Sequence, residues 1–156
     1  MKEVPMPLAA QPAPRIELPT EFERRWQRLR LLTGKIQERL ERALQEHGLS
    51  VSEYAALAAL AYSDDGGHLR QQVLAEAIPL NQSSLSRLVT RLEREGLTER
   101  YHCMNDRRGV YTQITDNGRR KVEQARESYL AVLHAALAEE EQDDEFLVAY
   151  LTGSTD

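Results

Sequence analysis

Residues 74–115 read LAEAIPLNQSSLSRLVTRLEREGLTERYHCMNDRRGVYTQIT, and the fold is decided there. A short helical run over about 70–78 must stop at Pro79, whose ring removes a donor and excludes the helical conformation from the residue before it. Asn81 is a good N-cap for a second helix from Gln82 to Glu95, and Gly96 closes it. Leu85, Leu88 and Leu92 recur at helical spacing and form its inward face. Gln82, Ser83, Ser84, Ser86, Arg87 and Arg91 supply the small and basic side chains of its first turns and outward face. Ala75 is small where the two helices must cross.

Two β-compatible runs follow, Leu97–Cys103 and Val110–Thr115, around the polar connection Met104-Asn105-Asp106-Arg107-Arg108-Gly109. That is a hairpin with a basic tip. Two short helices joined by a tight turn form a helix-turn-helix, and a hairpin placed after it makes a wing. An isolated amphipathic helix is most often just a solvated one. The wing changes that balance, because Gln and Arg read base edges while Ser serves phosphates or either edge.

Working outward, Thr20 and Glu23 form a capping box ahead of Phe22, Trp26, Leu29, Leu32, Ile36, Leu40 and Leu44. This apolar stripe predicts a helix over about 20–47, stopped by Gly48 and roughly 40 Å long at the usual rise. A domain this small cannot bury such a helix alone, so a second subunit is expected to cover part of it. Ser50 and Glu53 repeat the capping box, with Leu49 and Tyr54 as its hydrophobic staple, for a helix to about Tyr62. Asp64-Asp65-Gly66-Gly67 is a turn, and His68–Leu69 a short strand. Asp116 or Asn117 begins a long fifth helix to about Ala138, and 140–151 forms a short acidic sixth. The fold class is therefore mainly α with a small β-hairpin wing: a winged helix-turn-helix between long N- and C-terminal helices. Residues 1–18, with Pro5, Pro7, Pro12 and Pro14, are expected to be a flexible arm. A single domain fills about 19–151, with the winged helix over about 50–115.

The whole chain of 156 residues has a formal charge of −5, which hides its asymmetry. Residues 80–121 carry nine Lys or Arg against five Asp or Glu, a local +4, whereas 122–156 carry one against nine, a local −8. A polyanion should therefore meet the middle segment and be repelled by the tail. One cysteine, Cys103, forms no internal disulfide and fits a reducing cytoplasm. Four scattered histidines offer no metal set, and no run is apolar enough to span a membrane. No nucleophile triad, P-loop or glycine-rich nucleotide loop is present, so neither an enzyme nor a cofactor is expected.

The stretch from Leu74 to Thr115, followed by Asp116-Asn117-Gly118-Arg119-Arg120, closely resembles the MarR family of winged-helix transcription regulators. The resemblance extends more weakly over about 20–150. It implies that the helix containing Ser86-Arg87-Leu88-Val89 enters the major groove. It also implies that Asp106-Arg107-Arg108 is the wing's Asp-x-Arg motif, Arg108 reaching the minor groove and Asp106 holding it. Helices over about 20–47 and 116–151 would build a homodimer on a palindromic duplex operator. The expected role is repression relieved by a small-molecule or stress signal. Trp26, Tyr54 and Tyr62 are the candidates to line a cleft for a small aromatic effector. In that family oxidant-sensing cysteines lie near the first helix, which makes Cys103 more plausible as packing. Pro79 stands where the family usually has Gly, so a locally different turn is expected. The alternative is a winged-helix module that binds protein and not DNA, against which Arg87, Arg91, Arg107 and Arg108 argue.

Overall fold

The computed structural model describes residues 17, 20–102 and 109–140. The expected arm over 1–18, the acidic sixth helix and the wing-tip residues Cys103, Asp106, Arg107 and Arg108 lie outside this set, residue 17 and the helical Glu140 excepted. Five helices and three strands follow in the order α1 (Glu21–Gln45), α2 (Val51–Ala61), β1 (His68–Arg70), α3 (Gln71–Ala77), α4 (Gln82–Arg94), β2 (Thr98–His102), β3 (Val110–Ile114) and α5 (Asp116–Glu140). The chain divides into two units, Met1–Thr33 and Gly34–Asp156, and α1 runs through the division.

The first unit contributes the N-terminal half of α1. Its capping box forms as expected: Glu23 accepts the Thr20 N–H at 3.0 Å, and the Thr20 hydroxyl accepts the Glu23 N–H at 3.2 Å. Glu21 pairs with both Arg24 and Arg25, and these partners hold its carboxyl below the ordinary range. Phe22 and Trp26 stand 79% and 56% exposed, so the apolar stripe starts on uncovered surface.

The second unit holds the core. Leu44, Leu57, Leu60, Leu74, Leu85, Val89, Leu92, Val122 and Ala125 pack with no exposure above 1%. Both helix stops work by the same physics. Gly48 and Gly96 adopt φ of +68° and +69°, which lets Leu49 N–H reach back to the Leu44 carbonyl and Leu97 N–H to that of Leu92. These six-residue closures satisfy carbonyls that a helix end would leave bare. The strands form an antiparallel sheet in the order β1-β3-β2, with Leu69 opposite Thr112 and Arg100 opposite Thr112 on the other side.

As expected, α5 starts at Asp116, and Thr115 caps it. The Thr115 hydroxyl accepts the Gly118 N–H at 3.0 Å and donates to the Gly96 carbonyl at 2.8 Å, tying α5 to the end of α4. A Cβ at Gly118 would fall on the Leu97 carbonyl oxygen and within 2.7 Å of Ile114 Cγ1. Gly118→Ala should therefore destabilise by about 1–3 kcal/mol through overpacking, although alanine is the better helix former. A urea midpoint equal to or above that of the parent would contradict this close approach.

Candidate nucleic-acid interface

The turn between α3 and α4 shows how proline replaces glycine here. Ile78 leaves α3 extended, at φ −131° and ψ 130°, as a residue before proline should. The Leu80 N–H then donates to the Ile78 carbonyl at 2.7 Å, closing a three-residue turn with Pro79 at its centre. Proline's fixed φ suits an inverse γ-turn, so no left-handed residue is required.

Asn81 then caps α4. Its Oδ1 accepts the Ser84 N–H at 2.8 Å and the Ser83 hydroxyl at 2.9 Å. Leu85, Val89 and Leu92 are buried beneath the helix, while Leu88 is only partly buried. Val89, and not Leu88, completes the inward face. Gln82, Ser83, Ser86 and Arg87 are exposed, and Ser84 is half-buried with its N–H spent on the cap. Arg87 makes no hydrogen bond or ion pair among the described residues.

The C-terminal half of α4 is held differently. Arg91 Nε lies 3.0 Å from Glu53 Oε1 and 3.1 Å from Glu95 Oε1. Glu53 is 3% exposed, and its other oxygen accepts the Ser50 N–H at 2.8 Å. The Glu95 hydrogen bond, then the charges of Glu53 and Glu95, hold the Arg91 guanidinium above its ordinary range. Arg100 reaches from β2 to the Thr90 hydroxyl at 2.7 Å and to Glu93 at 3.3 Å. The first two turns of α4 are thus presented to solvent, and its end is tied to α2 and β2.

Sequence reasoning missed the second duty of Glu53, because the capping box already explained that residue. The only signal was a lone acid in the otherwise apolar run of α2. Arg119 was missed as well: it donates to the Ala61 carbonyl at 3.1 Å and the Gly66 carbonyl at 3.0 Å, anchoring the end of α2. Arg91, Arg100 and Arg119 are therefore all engaged by partners within the chain. Of their carboxylate partners only Glu53 lies outside residues 80–121, so it alone lowers the +4 of that segment further.

The three aromatic candidates part company. Tyr54 is 6% exposed and stacks on Tyr129 with ring centroids 4.4 Å apart, so its ring belongs to the core. Burial first, then its neighbours Tyr62 and Tyr129, pushes its phenol up. Tyr62 is 59% exposed at the end of α2. Trp26 is exposed in the first unit. A polar cleft of about 270 Å³ lies elsewhere, lined by Glu41, Gln45, Ser50, Glu53 and Arg91 among others, and none of the three lines it.

The model of the MarR family matches residues 47–109, from the end of α1 to the wing. The HTH-type transcriptional repressor MdtR of Bacillus subtilis is 29% identical over 116 residues, covering 72% of this chain and 73% of that one. The MarR-family regulator AbsC from Streptomyces coelicolor superposes with a TM-score of 0.70 at 26% identity, covering 88% of this chain and 99% of its own. Sco3205, a MarR-family regulator of the same organism solved in complex with DNA, gives 0.73 at 26% identity over 90% of both chains. The winged-helix segment of the chain matches the MarR family. The MarR-family regulators it resembles are transcription factors, not enzymes, and one of them is solved in complex with DNA. Within the described residues, no helix is long and apolar enough to cross a membrane.

Proposed function

We propose that this chain is a MarR-family homodimer that reads a palindromic duplex operator with α4 and represses by occluding a promoter. The observation that carries the reading is the presented half of α4: Gln82, Ser83, Ser86 and Arg87 exposed around an Asn81 cap, with Arg87 unengaged among the described residues. Gln82, Ser83, Ser86 and Arg87 supply base readout in the major groove, and Ser84 stands at the same N-terminal turn. Repression is supported by the relative named a repressor, and DNA as partner by the neighbour solved on DNA. Exposed Phe22 and Trp26, four positions apart on one face of α1, support a dimer, since large apolar side chains grouped on one face mark an interaction surface. The dimerisation helices would be those over about 20–47 and 116–151, outside a winged helix over about 50–115. Such a regulator acts in the cytoplasm.

A small aromatic effector would relieve repression by favouring a dimer with its two recognition helices at another separation, and that differential affinity is the regulation. Trp26 and Tyr62 remain candidates to meet it, whereas Tyr54 serves the core.

Arg108, on the family resemblance, enters the minor groove, where narrow A·T-rich sequence concentrates negative potential. Arg108→Ala should weaken operator binding and leave the folded dimer intact, and Asp106→Ala should give a milder defect. Unchanged operator affinity for Arg108→Ala at moderate salt would remove the wing from the interface.

The reading is tested by selecting bound sequences from a random duplex pool and titrating the recovered duplex against a scrambled one at several salt concentrations. Recovery of a two-fold symmetric sequence, bound more tightly than the scrambled duplex, is expected. No enrichment, and equal affinity for both duplexes, would favour the protein-binding module.

A further inference from the structure

Arg91 lies on the recognition helix one turn beyond Arg87, and a count of cations would enrol it as a DNA contact. Its surroundings argue otherwise. One carboxylate at 3.0 Å comes from α2 and one at 3.1 Å from the end of α4 itself. The α2 partner, Glu53, is buried and is fixed independently by the Ser50 N–H. A buried carboxylate needs its counter-charge, because losing it leaves an uncompensated charge out of water. Arg91 is 57% exposed and spends only its Nε on these carboxylates. A phosphate reaching its terminal nitrogens would come up against the negative charge of Glu53 and Glu95, which already outweighs that of the guanidinium. Arg87, by contrast, has no partner among the described residues to give up when it turns to DNA.

We propose that Arg91 is a positioning residue withheld from the DNA backbone: Glu53 and Glu95 use it to pin α4 to α2 while subtracting one cation per protomer from the charge that the duplex meets. The consequence concerns specificity. Cations that meet phosphate tighten binding to every sequence, so a basic recognition helix risks losing discrimination. Neutralising Arg91 internally keeps the electrostatic grip weak at the end of α4 and leaves recognition to the side chains of its first two turns. The proposal rests on the reading that α4 meets DNA.

The test uses the full chain, the duplex recovered by selection and a scrambled duplex of equal length, each titrated from low to moderate salt. Arg91→Ala should leave the slope of log affinity against log salt unchanged on both duplexes. A slope shallower by about 0.9 per protomer, the signature of a lost phosphate contact, would overturn the proposal. Should Arg91→Ala fail to fold, Glu95→Gln serves instead, since Glu95 is exposed. Partial release of Arg91 should then tighten binding to the scrambled duplex and steepen its slope, lowering the ratio of specific to non-specific affinity. Unchanged or weaker scrambled-duplex binding would overturn the proposal. Where the Arg91→Ala chain folds, adding Glu95→Gln to it should abolish that gain. A gain of equal size there would mean that only a repulsive charge had been removed, and would overturn it too. Failure of the parent chain to bind either duplex would instead reject the DNA-binding reading itself.

Discussion

Arg87→Ala should lower affinity for the recovered operator by about 5- to 140-fold per half-site, the equivalent of the roughly 1–3 kcal/mol carried by a bidentate base contact. Nothing in the fold depends on this side chain. It is exposed on the second turn of α4, and no described residue engages it, so stability should change by no more than about 0.5 kcal/mol. The loss should also be unequal: large on the operator, small on scrambled duplex. That inequality is the informative part. Equal losses on both duplexes, with a shallower salt dependence, would assign Arg87 to phosphate and leave base reading to Gln82, Ser83 and Ser86.

Leu85→Ala should cost about 2–5 kcal/mol of stability, because Leu85 is 0% exposed beneath the same half of α4. The substitution removes the apolar contacts and leaves a cavity that the surrounding core can fill only in part. A lower urea midpoint with unchanged denaturant slope is expected. Operator binding should weaken as well, since the presented turns rest on this residue. A cost under about 1 kcal/mol would mean that the recognition helix is not packed as described. Against Arg87→Ala the contrast is direct: one variant should lose DNA and keep the fold, while the other loses both.

What the sequence made legible was local. Capping boxes at Thr20–Glu23 and Ser50–Glu53, the Asn81 cap and the glycine stops at 48 and 96 all join residues within six positions. Their side-chain chemistry therefore points to their partners directly. The order of helices and strands followed, and with it the presented face of α4. The ties at the other end of that helix were not legible. Glu53 and Arg91 stand 38 positions apart in the numbering, and each had a sufficient local explanation, one as a cap and one as an outward cation. The packing of Tyr54 was illegible for a related reason, since helical spacing places an aromatic on an inner face without saying whether that face lines a cleft or a core. The stacking partner, Tyr129, comes from α5, on the far side of the winged helix in sequence. The turn at Pro79 likewise required backbone geometry: it is closed from Leu80 to Ile78.

The central claim is that two copies of α4 read one duplex across a two-fold axis. Hydroxyl-radical footprinting of the recovered operator tests it most directly, comparing the parent chain with Arg87→Ala. Two protected segments related by two-fold symmetry are expected, with centres about 10–10.5 base pairs or a whole multiple of that apart. Arg87→Ala should weaken both equally. A single unsymmetrical footprint, or protection that Arg87→Ala leaves untouched, would contradict it.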